Sequence, residues 1–341
     1  MLLQAKESNP ANIYKLFRAV VKRQRCIENG DSILCAVSGG LDSMVLASLL
    51  VSLKKDIPFD LSLSHVNYGL RGKESDAQEK LVYDFAERHH LKCFATKASL
   101  EKKEGENFQN QARDFRYHYF AEVAAQIKAG KVAVAHHLED QVETILGHLL
   151  RGSSIRGLGG MKAVRALPGK AGIQLIRPLL SFSKKTLELY AEQNNVETIN
   201  DSSNFSDKYW RNRLRMELLP VIQNLRPQSF GKIVRLSHTL QELTGYLEEE
   251  AKQWLHEFAK KEPAHFWMPR PRFIQLPRVL RLEILRWAFT GFNGSQAELK
   301  ADHLLRCDWI ARSEKQKGAY RLPQKICFER SEEDLILSQL L

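Results

Sequence analysis

The chain has 341 residues, of which 43% are hydrophobic and 27% charged, and a formal net charge of +11 at pH 7. That is the composition of a globular protein of two or three domains, and it excludes a disordered or collagen-like chain. No window reaches the apolar length of a membrane-spanning helix, and the opening MLLQAKESNP lacks the basic and apolar regions of a secretory signal, so no membrane segment and a cytoplasmic location are expected. The first element is an amphipathic helix in which Ile13, Leu16, Phe17, Val20 and Val21 recur at helical spacing and which Gly30 ends. Apolar strands are expected at 33–37, 59–66, 92–96 and 132–136, separated by helical patterns over 44–53, 76–89 and 111–128. Such alternation implies an open α/β sheet of parallel strands, with ligands bound beyond the strands' C-terminal ends. Ser38, His65-Val66-Asn67 and His136-His137 all fall at such ends. A fifth strand is expected at 173–177, stopped by Pro178. After about Pro220 the alternation gives way to charged helices at 237–258, 278–289 and 297–310, with loops at Pro263, Pro269, Pro271 and Pro277. Two short β runs, 326–329 and 335–337, close the chain. The expected organisation is therefore an α/β domain over 1–220 and a smaller, mainly helical domain over 221–341 with a short terminal β hairpin.

The densest chemical signal lies at the end of the first strand, where Ser38-Gly39-Gly40-Leu41-Asp42-Ser43 leads into a helix. Strand, glycine turn and helix together aim backbone N–H groups and a helix N-terminus at an anion. The two glycines allow close approach, and Ser38 and Ser43 offer hydroxyls. The turn holds no lysine, so it is not the GxxxxGK[ST] phosphate loop. A second loop, from His65 to Gly72, presents Asn67 and Arg71 beyond the second strand; it also reads as an ordinary strand end. In His136-His137-Leu138-Glu139-Asp140-Gln141-Val142-Glu143-Thr144, Val142, Ile145, Leu146 and Leu149 form a packing stripe, and Asp140 and Glu143 share another helix face. Acidic residues at a helix start also suit its dipole, and adjacent histidines point apart, which argues against zinc; a magnesium ion or a cationic substrate is the better match. Arg151 to Met161 is a glycine-rich basic loop, with Arg151 and Arg156 able to meet a phosphate or RNA backbone. Asp201-Ser202-Ser203-Asn204 followed by Tyr209-Trp210-Arg211-Asn212-Arg213-Leu214-Arg215 is a capping signal and a basic helix, with Arg211 and Arg215 on one face. It is either a solvated charged face or a phosphate clamp, a task that suits arginine's planar fork. No two of Cys26, Cys35, Cys93, Cys307 and Cys327 stand within four residues of each other, so there is no CxxC pair for zinc, a cluster or a redox couple.

The SGGLDS string resembles the PP-loop of the N-type ATP pyrophosphatases. With HVNYGLRG, HHLEDQVET, RGSSIRGLGGM, RPLL and DSSN…YWRNRLR in one order, the chain over about residues 30–220 resembles the tRNA(Ile)-lysidine synthetases. It departs from their pattern at Tyr68, where a second histidine is usual, at Glu139, where an aspartate is usual, and at Ser154, often a glycine. Longer members carry a further C-terminal domain, for which this chain is expected to be too short. The resemblance implies an open parallel-sheet PP-loop domain followed by a helical domain, and conversion of the wobble cytidine of CAU-anticodon tRNA(Ile) to lysidine. In that reaction ATP adenylates the cytosine 2-oxygen with release of pyrophosphate, and the ε-amine of free L-lysine then displaces AMP. The implied roles are ATP-phosphate binding by Ser38, Gly39, Gly40, Leu41, Asp42 and Ser43, with His65 and Asn67 near the nucleotide, and Mg²⁺ on Asp42. Asp140 and Glu143 would hold the lysine amine, Arg211 the reacting phosphates, and Arg151 and Arg215 the substrate. Asp42, Asp140, Glu143 and Arg211 make up the implied catalytic set. Arg270, Arg272, Arg278, Arg281 and Arg286 are expected on the tRNA backbone, and a homodimer is left open. A tRNA thiolation enzyme or a small-molecule amidotransferase or synthetase of the same superfamily are the alternatives; the first typically needs cysteine pairs, the second no RNA.

Overall fold

A computed structural model describes residues 10–69, 72–98, 108–170, 172–199, 213–293, 299–314 and 318–340. The chain divides into two compact units, Met1–Gly152 with Gly157–Ser237, and Ser153–Arg156 with His238–Leu341. No helix among the described residues is long and apolar enough to cross a membrane.

The first unit is built on a six-stranded sheet of order β3-β2-β1-β4-β6-β5. Its strands are β1 (Ser32–Ala36), β2 (Asp60–Asn67), β3 (Lys92–Lys97), β4 (Lys131–Ala133), β5 (Val164–Ala166) and β6 (Gln174–Ile176). All pairings are parallel except β5 with β6. Ile33, Leu34 and Cys35 of β1 are buried on both faces, as a central parallel strand requires. Helices α1 (Pro10–Gln24), α2 (Leu41–Leu53), α3 (Lys73–Arg88), α4 (Phe108–Gln126) and α5 (Leu138–Leu150) follow the expected alternation, whereas the short α6 (Ile155–Leu158), in the stretch read as a loop, and α7 (Lys184–Gln193) were not anticipated. α2 has apolar residues around most of its circumference, and Met44, Val45, Leu46, Ala47, Leu49, Leu50 and Leu53 are all buried. From β1 the chain crosses to β2 on one side, and β4 pairs on the other. The strand order reverses there, and a crevice opens at the C-terminal ends of β1 and β4. Strand β5 was not anticipated: three partly exposed residues on the sheet edge bury too little to leave an apolar run.

Beyond α7, a five-residue π-helical turn, Leu214–Leu218, runs into helix Leu219–Leu225. Leu219, Phe230 and Val234 pack on Val142 and Ile145 of α5, fixing the turn against that helix. In the second unit, helices Ser229–Phe258 (its part after Ser237), Arg278–Asn293 and Ala301–Arg312 match the expected helical pattern. The terminal hairpin is the centre of a larger antiparallel sheet, however. β10 (Ile326–Arg330) and β11 (Asp334–Gln339) are joined by β7 (Lys260–Lys261), β8 (His265–Pro269) and β9 (Gly318–Leu322) in the order β7-β8-β11-β10-β9. Pro269 ends β8 and Pro271 sits in the first turn of helix Arg270–Ile274, positions where a missing N–H is harmless, so these prolines mark element ends rather than loops.

Of the arginines expected on RNA in this unit, Arg270, Arg281 and Arg286 are turned to partners within it, while Arg272 and Arg278 are exposed. Arg281 is buried on Asp308, with Nε 2.6 Å from Oδ1. Arg270 donates to the carbonyls of Ala311 and Ser313, Arg286 pairs with Glu283, and Arg272 lies over the Phe258 ring. Arg156, taken from sequence as a phosphate contact, pairs with Glu248 and Glu283. For Arg156, Arg270, Arg281 and Arg286 the expectation is corrected: a guanidinium turned into the unit needs acceptors, and neighbouring carbonyls and carboxylates supply them, whereas Arg278 is exposed.

Candidate active site

The turn after β1 folds on its own hydroxyls. Ser43 Oγ accepts from the Ser38 amide at 3.0 Å and donates to Gly40 O at 2.9 Å, and the two serine hydroxyls lie 3.0 Å apart. Gly39 has φ +86°, and a Cβ there would stand 3.0 Å from Gln78 Cβ and 3.2 Å from Gln78 Cα. The Ile199 amide donates to Gly39 O at 3.0 Å, tying the turn to the stretch after α7. Gly40 caps α2 without a side-chain bond, so the first amides of the helix, Leu41, Asp42 and Ser43, have no carbonyl of their own helix to meet.

Above the turn lies a cavity of about 390 Å³. Ser38, Gly40, Leu41, Asp42 and Ser43 form one wall, Tyr68 and His136 another, Arg116, Tyr117 and Phe120 of α4 a third, and Lys184 and Glu188 of α7 the fourth. His65 and Asn67 do not line it. His65 Nδ1 is 2.8 Å from Val37 O, and burial lowers its pKa, so a neutral ring props the end of β1. Asn67 donates to Glu79 at 2.7 Å and accepts from the Gly69 amide at 2.8 Å, organising the turn that follows. Val66, between them, and Tyr68, after them, face the cavity instead; the Tyr68 hydroxyl donates to Ala112 O at 3.0 Å.

Beside the cavity stands a charged cluster. The His137 amide donates to Asp140 Oδ2 at 3.0 Å, closing the first turn of α5. His137 Nδ1 is 2.9 Å from Glu139 Oε2, which also accepts from the Lys184 amide at 3.0 Å. Nε2 of the same ring faces Asp140 Oδ2 at 3.5 Å and Asp42 Oδ2 at 3.8 Å. Burial disfavours the imidazolium, but the Glu139 hydrogen bond and the charges of Asp140 and Asp42 outweigh it and raise the pKa of His137. Burial acts against the Asp140 carboxylate too; His137, His136, the His137 amide and Arg215 overcome it and lower its pKa. At Asp42 burial prevails over His137 and Lys184, and the pKa rises. Its Oδ1 is buried with no hydrogen-bond partner. His136 accepts from Arg177 Nε at 3.2 Å, and burial drives its pKa down to about 3, so this ring is neutral.

Asp140 and Glu143 come together on one face of α5, and Arg215 bridges them: its Nη2 donates to Asp140 Oδ1 at 2.9 Å and to Glu143 Oε2 at 3.0 Å. Arg151 is exposed at the end of α5. Arg211 lies outside the described residues. Sequence reasoning missed Arg116, Tyr117 and Phe120, whose signal is a basic–aromatic face on an otherwise ordinary helix. It also missed Lys184, one residue after the Ser183 cap of α7 and on the cavity side of that helix's first turn.

Comparison with known proteins gives a consistent picture. Residues 10–222 match the PP-loop domain family. The chain is 30% identical to the tRNA(Ile)-lysidine synthase of Dehalococcoides mccartyi over 93% of its own length and 68% of that protein. It is 32% identical to that of Geobacter sulfurreducens over 94% and 67% respectively. Among solved structures it is similar to the U34-tRNA thiolase NcsA from Methanococcus maripaludis, with a TM-score of 0.59 at 20% identity, covering 68% of this chain and 80% of that one; this is a likeness of fold.

Proposed function

Since the chain belongs to the tRNA(Ile)-lysidine synthase family of PP-loop proteins, we propose that it ligates free L-lysine to the wobble cytidine of CAU-anticodon tRNA(Ile) at the expense of ATP, in the cytoplasm. The observation that carries this reading is the paired Asp140 and Glu143, bridged by a cation and set beside an anion-binding turn. In it, the turn from Ser38 to Ser43 holds the phosphates through backbone amides and the start of α2. His137, whose imidazolium is favoured by its three carboxylate neighbours, and Lys184 add to the positive charge near the turn. Arg211 is assigned to the reacting phosphates from sequence. A pre-organised cradle of this kind stabilises the departing pyrophosphate.

Asp42 fits a magnesium ion. Mg²⁺ commonly takes one or two carboxylates and completes its shell with water and substrate phosphate, and Asp42 Oδ1 is a buried carboxylate oxygen without a partner. Among the described residues no larger His, Cys, Asp and Glu group forms a ready-made metal set. Bound there, the ion would offset phosphate charge. Asp140 and Glu143 receive the lysine ammonium, whose pKa of ~10.4 requires that a proton leave before attack. Arg151 and Arg215 are assigned to the substrate side. Thiolation gains no support from the cysteines: burial raises the Cys26 and Cys307 thiols to about 12 and Cys93 to about 11, far from the thiolate that cluster binding and sulfur transfer use.

The test is a CAU-anticodon tRNA(Ile) transcript incubated with protein, ATP and lysine, followed by mass spectrometry of its nucleosides. Lysidine, AMP and pyrophosphate are expected, and a transcript with uridine at the wobble position should stay unmodified. ADP and phosphate as the coupled products would remove the reading. Asp140→Asn should raise the lysine requirement while leaving adenylation, read as pyrophosphate release, largely intact.

A further inference from the structure

Arg215 meets the carboxylate pair in an unusual way. A guanidinium beside carboxylates ordinarily uses its fork, with two nitrogens on two oxygens. Here one nitrogen, Nη2, serves both Asp140 and Glu143, at 2.9 and 3.0 Å. That is the arrangement of a point cation, and an alkylammonium nitrogen could reproduce it with two of its three donors. The side chains of Glu143 and Asp140 are 9% and 22% exposed, whereas that of Arg215 is 36% exposed, so the cation covers the pair from the solvent side. Arg215 belongs to the π-helical turn Leu214–Leu218, a feature found disproportionately at functional sites.

Two carboxylates on one helix face, one buried and one half-buried, repel each other unless cations stand beside them. Arginine never loses its charge, so Arg215, with His137 on the other side of Asp140, offsets the negative charge of the pair. Exchanging one monocation for another leaves the charge of the pair unchanged.

We propose that Arg215 is a resident stand-in for the substrate ammonium: it occupies the cation site between Asp140 and Glu143 until lysine arrives, and lysine takes the site only as Arg215 withdraws. This rests on the reading in which those two carboxylates hold the amine. It makes Arg215 a positioning and specificity residue, because a cation too short to be held elsewhere in the site cannot displace a tethered guanidinium.

The test is equilibrium dialysis of radiolabelled L-lysine with the full chain, without tRNA or ATP. Arg215→Met and Arg215→Gln, which remove the charge with and without a polar head, should each bind lysine at least tenfold more tightly than the wild type. Arg215→Lys should bind as weakly as the wild type. Methylguanidinium should compete with lysine in the methionine variant and have no effect on the wild type. Unchanged or weaker lysine binding in the folded methionine and glutamine variants, checked by thermal melting, would overturn the stand-in. The underlying reading is probed separately by Asp140→Asn: if that variant loses lysine affinity while Arg215→Met gains none, only the stand-in fails. If Asp140→Asn leaves lysine affinity intact, the reading falls and the inference with it.

Discussion

Asp42 and Asp140 are aspartates on neighbouring helix starts, yet folding moves them in opposite directions. Asp140, lowered by His137, His136 and Arg215 against its burial, contributes stability that is present above ~3.9 and lost as pH falls through its lower folded pKa. His137, raised by its carboxylate neighbours against its burial, contributes stability that is present below ~6.5 and lost as pH rises through its higher folded pKa. Asp42, raised by burial, does the reverse of Asp140: its ionisation opposes folding above ~3.9. Asp42→Asn should therefore raise the melting temperature at pH 7 while weakening ATP binding and abolishing any dependence of that binding on magnesium. A lowered melting temperature would show that the carboxylate is stabilised by its surroundings. In His137→Gln the loss of stability as pH rises above about 6.5 should flatten, as measured by thermal melts across the neutral range. None of this was legible in the sequence, which places the acidic residues along the chain but says nothing of the imidazole between them. The side chains His65 and Asn67 show the same limit. Their positions at a strand end are readable, but their orientation toward Val37 and Glu79 depends on the pleat and on partners distant in sequence.

The phosphate turn and the strands leading to it were legible, because a buried parallel strand leaves an unbroken apolar run and a strand–glycine–helix junction has few other uses. The β sheet of the second unit was not. β8 is five residues set between Pro263 and Pro269, which punctuate the sequence as loop, and β7 is two exposed lysines, so neither leaves a clear strand signal. Within the turn, Gly39 is the position that geometry constrains most. Gly39→Ala would hold a Cβ at positive φ against Gln78 backbone, at a cost of about 1–2 kcal/mol for the conformation alone. The melting temperature should drop by a few degrees and ATP affinity by more than the stability loss explains, since the amides would shift. Equal ATP affinity in calorimetry would show that the turn adapts. In the second unit, Arg281→Met takes the buried cation from Asp308 and leaves it only the more exposed Arg312; breaking a buried pair outright typically costs about 3–5 kcal/mol, the upper bound here. That variant should melt earlier at neutral pH while tRNA affinity of the folded fraction is unchanged.

At the scale of the whole molecule, the charge is unevenly shared. The unit of residues 153–156 and 238–341 contains 17 Lys and Arg against 15 Asp and Glu, so +9 of the +11 belongs to the other unit. Within that unit Arg226 and Lys232 are exposed. If tRNA is held by this charge, its affinity should fall steeply with salt, and alanine at both positions should lessen the log–log slope by about 1–2, at roughly 0.7–0.9 per phosphate contact. Alanine at Lys260 and Lys325 of the near-neutral unit should change it by less than about half a unit. Equal effects from both pairs would place RNA contacts on both units. The five cysteines have a consequence of a practical kind. Four of them are buried and Cys93 is half-buried, and burial raises the pKa of every one. Alkylating reagents react with thiolates, so the native protein should be almost silent toward maleimide at neutral pH. A single cysteine introduced at an exposed position, such as Ser154 or Lys170, would then take a fluorophore or spin label selectively in the otherwise unaltered chain.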